Sequence, residues 1–194
     1  MKTFFDYSFA MLGLLLFSPI FILISIAIKI SSKGPIFFIQ KRIGQNGELF
    51  NIIKFRTMYH DHSSERTITL CDDKRITRLG FFLRRYKLDE LPEIINIIKG
   101  EMSFVGPRPD VKGYADKLQG EDRFILNLKP GITGPASLKY ANEEYILHNV
   151  DNPKTYNDKV IFPDKVRLNL DYYYNHNLWL DIKIIFATIK RIIR

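Results

Sequence analysis

The chain has 194 residues and a mass of 22.8 kDa, with 46% hydrophobic and 26% charged residues. This length suits one domain, with or without an appendage, and excludes a large multidomain enzyme. The abundant Phe, Tyr, Ile and Leu exclude a disordered chain because they can build a core. The single cysteine, Cys71, excludes a disulfide framework and suits a reducing compartment. The net charge of +8 favours an anionic partner: nucleic acid, anionic lipid or a phosphorylated substrate.

A long apolar segment lies near the start of the chain. Residues Ala10–Ile28 include no charged residue and, as one helix, would extend about 28 Å, close to the hydrocarbon thickness of a bilayer. Pro19 cannot donate a hydrogen bond to the Leu15 carbonyl. We therefore predict a helix that is broken at Ser18-Pro19 and that enters and leaves the membrane by one face. A single spanning helix is the alternative, and a cleaved signal peptide is disfavoured by the length of the segment.

The next part of the chain predicts a β-hairpin followed by a polar loop. The runs Ile36–Ile43 and Leu49–Phe55 are apolar and β-prone, and Asn46-Gly47 between them is a strong turn signal. His60-Asp61-His62 has no third metal ligand nearby, so we interpret it as part of the loop. A helix is predicted over Ile76–Tyr86.

A basic stretch precedes an acidic pair. Residues 74–88 contain several Lys and Arg residues and no acid, and Asp89-Glu90-Leu91-Pro92-Glu93 follows directly. Taken alone, the basic run is typical of a solvated helix face. The acidic segment is more typical of a helix start than of an active site, because acids and Pro are common in a first helical turn. Gly100 is a suitable helix stop.

Two loops and one helix complete the sequence pattern. Gly106–Pro109 presents Arg108 between two prolines, either as an ordinary turn or as a fixed guanidinium for a phosphate. The glycines of Pro130–Pro135 would let the backbone approach a ligand. The segment Leu178–Arg194 is an amphipathic helix, which either docks on the core or lies in a membrane interface. Its basic face holds Lys183, Lys190 and Arg194, and its apolar face holds Ile182, Ile185, Phe186, Ile189 and Ile193.

The order of these motifs carries more information than any one of them. The motifs are Ser18-Pro19, Lys54-Phe55-Arg56-Thr57-Met58, Arg84, Leu88-Asp89-Glu90-Leu91-Pro92, Lys99-Gly100-Glu101-Met102-Ser103, Gly106-Pro107-Arg108-Pro109, Pro130-Gly131-Ile132-Thr133-Gly134, Leu170-Asp171-Tyr172-Tyr173 and Leu180-Asp181-Ile182-Lys183. In this order and spacing, over nearly the whole chain, the sequence resembles the bacterial sugar transferase family, the small monotopic phosphoglycosyl transferases.

The resemblance implies a reaction at the membrane. A sugar 1-phosphate passes from a nucleotide diphosphate sugar, usually a UDP-sugar, to polyprenyl (undecaprenyl) phosphate, and UMP leaves. By the same match, Asp89 is the nucleophile and a ligand of Mg²⁺, and Glu90 assists either the dyad or the carrier phosphate. The further residues that match family positions, around the phosphates and the nucleotide, are Lys54, Arg84, Arg108 and Asp171.

The chemistry of the residue types agrees with this reaction. Mg²⁺ prefers carboxylates together with substrate phosphates, so one protein carboxylate can suffice. Lys and Arg offset the charge of a transferring phosphoryl group. A carboxylate nucleophile divides the transfer into two steps, so the two phosphorylated substrates need not react directly.

One stretch departs from the family pattern. After the Gly131 loop, many members have a Gln-Val-Asn-Gly type sequence, whereas this chain reads Pro135-Ala136-Ser137-Leu138-Lys139-Tyr140-Ala141-Asn142-Glu143-Glu144. The identity of the sugar is therefore left open. Lys139, Glu143 and Glu144 either contact the sugar or form a surface ion cluster, and we favour the surface cluster.

Together these features predict a mostly helical α/β protein with a small β-hairpin. We expect a re-entrant membrane helix over residues 1–33, a cytosolic transferase domain over 34–177 and an interfacial helix over 178–194. The predicted location is the bacterial inner membrane, with the catalytic domain facing the cytoplasm. The expected partners are a UDP-sugar, polyprenyl phosphate and phospholipid, without nucleic acid, and homo-oligomerisation is left open. The alternative is a membrane-tethered basic protein that binds nucleic acid or anionic lipid without catalysis.

Overall fold

A computed structural model describes residues 2–59, 73 and 75–193, without the side chain of residue 193. The predicted loop around His60-Asp61-His62, together with Cys71, Lys74 and Arg194, lies outside these residues. The strands are β1 Phe37–Ile43, β2 Leu49–Phe55, β3 Ser103–Val105 and β4 Gly131–Thr133. The α-helices are α1 Lys2–Ser31, α2 Arg78–Arg85, α3 Glu93–Ile98, α4 Pro135–Lys139, α5 Glu143–His148, α6 Pro153–Tyr156, α7 Phe162–Asn175 and α8 Leu178–Ile193. The chain is mostly helical with a small β-hairpin, as predicted, and it has a second small sheet besides.

Helix α1 is continuous through its central proline. It runs from Lys2 to Ser31 and includes Pro19, so the prediction of a helix interrupted at Ser18-Pro19 is wrong. The physical reason lies one residue before the proline, where the Ser18 hydroxyl donates to the Leu15 carbonyl at 2.8 Å. That contact replaces the N–H that proline lacks. Among the described residues, α1 is the helix that is long and apolar enough to cross a membrane.

Both halves of α1 pack against the same globular body. Ala10, in the first half, is buried in a cluster with Ile94 of α3. Ile28, in the second half, is buried with Phe55 of β2 and Leu83 of α2. The remaining surface of α1 leaves large apolar side chains exposed, among them Phe4, Met11, Leu12, Leu15, Leu16, Leu23 and Ile30. One side of the helix therefore belongs to the core of the body, and the other side is apolar and uncovered.

The predicted hairpin is confirmed. Strands β1 and β2 are antiparallel, and Phe37 pairs with Phe55 at the open end. In the connection, Asn46 has φ 58° and Gly47 has φ 82°, which are the left-handed conformations that these two residue types favour in tight turns. The hairpin places Lys54 one residue before the end of β2.

The acidic pair lies at the junction of two helices. The predicted helix Ile76–Tyr86 is observed as α2, and the Thr77 hydroxyl caps it by accepting from the Gly80 amide at 2.8 Å. Lys87 then takes a left-handed conformation with φ 55°, and residues Leu88–Glu90 form a 3₁₀ turn that leads into α3. The sharp reversal at Lys87 directs the acidic pair back towards the hairpin.

The short parallel pair of β3 and β4 was not predicted. Ser103 pairs with Gly131 and Val105 with Thr133. The two strands approach so closely that a Cβ built on Gly131 would lie 2.1 Å from the Gly106 amide nitrogen. Glycine at position 131 therefore permits this close approach, which brings the loop that carries Arg108 against the loop after β4.

Helix α8 docks on the core along one face only. Asp181 and Ile184 are buried, and Asp181 accepts a hydrogen bond from the Tyr172 hydroxyl of α7 at 2.5 Å. Trp179 and Phe186, on another face, are about two-thirds exposed. The sequence left docking and an interfacial position open, and the structure shows docking together with an exposed aromatic face.

Candidate active site

Three segments that are distant in sequence meet at one carboxylate oxygen. Glu90 Oε1 lies 2.9 Å from Lys54 Nζ, at the end of β2, and 2.5 Å from Arg108 Nη2, in the loop after β3. The Glu90 side chain is 8% exposed, whereas the side chain of Arg108 is 42% exposed. A buried carboxylate thus holds two cations, of which Lys54 is largely buried and Arg108 is partly exposed.

A second carboxylate shares the same lysine. Glu93 Oε1 lies 3.1 Å from Lys54 Nζ, and its side chain is 2% exposed. Burial, together with the charge of Glu90, raises the pKa of Glu93 to about 7, although Lys54 and Arg108 oppose the rise. The sequence analysis treated Glu93 as an ordinary first-turn acid. Glu93 lies three residues after Glu90, and residues at this spacing share a helix face. This spacing was the signal that could have identified Glu93 as a site residue.

Asp89 differs from its neighbour in both contacts and charge. It is buried, and its Oδ1 has no hydrogen-bond partner among the described residues. Burial and the charge of Glu90 raise the pKa of Asp89, opposed by Lys54, Lys87 and Arg84. Burial alone would raise the pKa of Glu90. The positive charges of Arg108, Lys54 and Lys87 outweigh burial, so the pKa of Glu90 is well below its ordinary value. Adjacent carboxyls with opposite shifts are suited to different roles.

Arg84 lies beside Asp89 at the end of α2. Its positive charge is one of those that lower the pKa of Asp89. Nη2 lies 3.7 Å from Glu144 Oε1 of α5, and Nη1 is buried without a hydrogen-bond partner among the described residues. The guanidinium therefore has donor capacity that the protein itself does not use.

The residues Lys54, Arg84, Asp89, Glu90, Glu93 and Arg108 are called the cluster below. The structure does not bring every predicted site residue to it. Asp171 is exposed on α7, and its carboxylate accepts from Asn175 of the same helix at 3.0 Å. No hydrogen bond or ion pair between described residues joins Asp171 to Asp89 or Glu90. Ser18 and Pro19 lie in the middle of α1, where Pro19 is exposed.

The residues of the divergent stretch form ion pairs. Lys139 Nζ lies 2.6 Å from Asp164 Oδ2, and both Glu143 oxygens lie 2.7 Å from Lys165 Nζ. These contacts are the ones that the surface interpretation predicts for Lys139 and Glu143. Glu144 differs, because it approaches Arg84 and therefore lies at the edge of the cluster.

A buried asparagine that the sequence analysis missed connects the hairpin to α3. Asn96 is fully buried, and its amide donates to the Asn51 carbonyl at 2.8 Å and to Glu101 at 2.7 Å. Its Oδ1 accepts from the Ile53 amide at 3.1 Å. Since Ile53 precedes Lys54, Asn96 fixes the strand that carries the lysine relative to the helix that carries Glu93.

The donor set fits a cation that takes part of its coordination from a substrate. No group of three or more His, Cys, Asp or Glu side chains in the described part of the chain could enclose a metal. However, Asp89 offers a buried oxygen without a partner. Mg²⁺ is commonly bound by one or two carboxylates together with phosphate oxygens. The residues present therefore fit Mg²⁺ together with a bound diphosphate.

Comparison with known proteins shows which family the chain resembles. The profile described as "Bacterial sugar transferase" matches residues 1–194. The chain is 38% identical over 198 residues to the undecaprenyl-phosphate glucose phosphotransferase of Komagataeibacter xylinus, covering 98% of this chain and 35% of that protein. It is 36% identical over 189 residues to the UDP-glucose:undecaprenyl-phosphate glucose-1-phosphate transferase of Escherichia coli K12, covering 95% of this chain and 38% of the relative.

A third relative is closer to this chain in length. The exopolysaccharide production protein ExoY of Rhizobium meliloti is 35% identical over 207 residues, which cover 98% of this chain and 84% of ExoY. The chain thus spans little more than a third of the two phosphotransferases and most of ExoY. Since the profile covers the whole sequence, the chain belongs to the bacterial sugar transferase family.

Proposed function

We propose that this protein transfers a sugar 1-phosphate from a UDP-sugar to polyprenyl phosphate and releases UMP. The observation that carries the proposal is the buried Asp89-Glu90 pair, in which Glu90 holds two cations while one Asp89 oxygen has no hydrogen-bond partner in the described ranges 2–59, 73 and 75–193. Relatives named for undecaprenyl phosphate and UDP-glucose support the choice of substrates. A basic protein that only binds nucleic acid or anionic lipid would not need a buried carboxylate pair, whose desolvation is unfavourable.

The first step is an attack by Asp89 on the sugar-bearing phosphorus of the UDP-sugar. A bond forms between the Asp89 carboxylate and that phosphorus, the bond to the bridging oxygen breaks, and UMP leaves with the bonding electrons. In the second step an oxygen of polyprenyl phosphate attacks the same phosphorus, and the Asp89 carboxylate is released. The two substrates therefore react with the protein in turn.

The cations stabilise the charge of the transferring group. Arg108 and Arg84 are the groups with uncommitted or exposed donors, so they bind the phosphates, whereas Lys54 is held between Glu90 and Glu93. Glu90 keeps Lys54 and Arg108 in place for this task. When bound at Asp89, Mg²⁺ would supply further charge neutralisation on the diphosphate.

The apolar surface of α1 supports a location of this reaction at a membrane. Because both of its halves pack on one polar body, a helix that crosses the bilayer would carry part of that body into the hydrocarbon. We infer that α1, although continuous, bends at Pro19 and is re-entrant, so that it enters and leaves by the cytoplasmic face of the inner membrane, where UDP-sugars are made. The exposed Trp179 and Phe186 of α8 suit contact with the same interface.

A UMP-release assay tests the proposed function. Purified full-length protein in nanodiscs is given Mg²⁺, undecaprenyl phosphate and a panel of UDP-sugars, and we expect UMP release with at least one sugar. Without the carrier, intact-mass measurement should show the addition of one sugar phosphate. Asp89→Asn should abolish both signals, because an amide is a poor nucleophile.

The matched control is Asp122→Asn at an exposed position outside the cluster, which should retain both signals. A folded protein that releases no UMP with any UDP-sugar would contradict the proposed reaction. Near-normal turnover by Asp89→Asn would contradict the assignment of Asp89 as the nucleophile but not the proposed reaction.

A further inference from the structure

Helix α5 is connected to two neighbouring helices by two acidic residues on its first turn. Glu143 binds Lys165 of α7 with both carboxylate oxygens at 2.7 Å. Glu144, the next residue, lies 3.7 Å from Arg84 Nη2 at the end of α2. The start of α5 therefore lies between the two helices, with a tight ion pair on one side and a loose one on the other.

The loose pair has the properties of a contact that another anion can replace. The Glu144 side chain is 50% exposed and that of Arg84 is 25% exposed, and ion pairs in such positions contribute little. Glu143, in contrast, is about one-quarter exposed and makes a bidentate contact. Only the contact to Arg84 is both long and accessible.

The other terminal nitrogen of the same guanidinium is unpaired within the part of the chain that the structure describes. Arg84 Nη1 is buried without a hydrogen bond among the described residues, and so is Asp89 Oδ1, whose pKa is affected by the charge of Arg84. Two buried polar atoms without partners, one a donor and one an acceptor, are unfavourable unless a ligand satisfies them. A diphosphate would form charge-assisted hydrogen bonds with such a guanidinium.

We propose that Glu144 occupies Arg84 in the free protein and is displaced when the diphosphate of the nucleotide sugar binds. The inference rests on the proposed function, because it assigns the displacing ligand to that reaction. Displacement of Glu144 would make the site selective among anionic ligands. A ligand must provide enough negative charge at Arg84 to compensate for the lost Glu144 contact, so a nucleoside diphosphate is retained better than a singly charged anion.

The test is the affinity for UDP, measured by calorimetry on the full-length protein in nanodiscs with Mg²⁺. Glu144→Gln keeps the size of the side chain and removes its charge. We expect UDP to bind about twofold to fivefold more tightly to this variant, which is the range that corresponds to a weak ion pair. Asp151→Asn, an exposed acid just beyond α5, is the matched control and should leave the affinity unchanged.

A second background separates direct competition from a general effect of charge. In Arg84→Ala, UDP should bind more weakly, and adding Glu144→Gln should no longer tighten binding. Unchanged or weaker binding by Glu144→Gln alone would overturn the inference, as would tightening that persists in the Arg84→Ala background. Failure of the folded wild type to bind any UDP would contradict the proposed function itself.

Discussion

Lys2 Nζ lies 2.5 Å from Asp181 Oδ2, and this contact joins the first turn of α1 to helix α8. Asp181 is almost fully buried and also accepts from the Tyr172 hydroxyl, and the Tyr172 side chain packs with Val105 of β3. The beginning of the apolar helix is thereby attached to α7, α8 and β3 together. The body therefore contacts α1 near Lys2 as well as near Ile28.

Removal of the lysine should destabilise the protein. In Lys2→Ala, the buried Asp181 keeps only the Tyr172 hydroxyl, and a buried charged group that loses a partner costs about 1–3 kcal/mol. We expect a lower Tm in thermal unfolding of the purified protein in one fixed detergent. Lys33→Ala, which removes an exposed lysine just beyond α1, is the control. Equal Tm values for the two variants would show that the pair has no stabilising role.

Re-entry of α1 predicts that both of its ends face the cytoplasm. A cysteine placed at the exposed Thr3, in a Cys71→Ser background, should react with an impermeant maleimide in inverted vesicles but not in intact cells. Lys154→Cys, on the exposed surface of the body, should label in the same way. Labelling of the Thr3 cysteine from the periplasmic side only would instead indicate a single spanning helix.

Arg108→Lys should reduce catalysis without affecting folding. Lysine keeps the positive charge but loses the planar fork that can contact Glu90 and a phosphate at the same time. Since a hydrogen bond to a charged group contributes about 1.5–3 kcal/mol, kcat/KM for the UDP-sugar should fall about tenfold to a hundredfold at an unchanged Tm. The control is Arg167→Lys, in an exposed ion pair with Asp164. Wild-type kinetics in Arg108→Lys would leave Arg108 as an ordinary turn residue.

Glu93 should make stability dependent on pH. Its pKa rises from 4.5 to about 7 on folding, so the folded state favours the protonated form. The stabilisation is fully present below about pH 4.5 and is lost as the pH rises through 7, by an amount on the order of 3 kcal/mol. Glu93→Gln remains uncharged, so its Tm should increase relative to wild type between pH 5 and pH 8. Glu121→Gln, at an exposed acid, is the control, and its difference in Tm from wild type should not change with pH. A pH-independent difference in Tm for Glu93→Gln would contradict the raised pKa of Glu93.

Two glycines should respond in opposite ways to alanine. In Gly131→Ala, the new Cβ would lie 2.1 Å from the Gly106 nitrogen, so β3 and β4 must separate, and both Tm and transferase activity should fall. In Gly13→Ala, within α1, the Cβ would make an ordinary contact with Ile94 at 3.7 Å, and helix propensity favours alanine by about 1 kcal/mol. Its Tm should therefore stay the same or increase. A stable, active Gly131→Ala protein would show that the two loops can shift.

Local signals predicted the elements that depend on local interactions. The hairpin follows from Asn46-Gly47 because that pair determines the turn, and α2 lies within the helix predicted over Ile76–Tyr86. The parallel pair of β3 and β4 was missed because each strand has three residues, too few for a recognisable alternation. Their pairing depends on contact between distant glycines, which no local pattern reveals.

The site itself was only partly predictable. From residue types alone, Asp89 and Glu90 indicated a helix start, and the resemblance of the whole motif order was needed to treat them as reactive groups. Glu93 was missed because an acid in a first helical turn has an ordinary explanation, and only tertiary structure places Lys54 against it. The predicted break at Pro19 failed for a similar reason, since a side chain satisfies the carbonyl that the proline leaves unpaired.

The packing of α1 also constrains the order in which the protein can assemble. Ala10 and Ile28 precede their partners Ile94 and Leu83 in the chain, so the ribosome releases the apolar helix well before the surfaces that cover it. During that interval, lipid or a chaperone must shield α1 from water. The body then completes its core against a helix that was made before it. Shielding of α1 during synthesis is thus a requirement for folding.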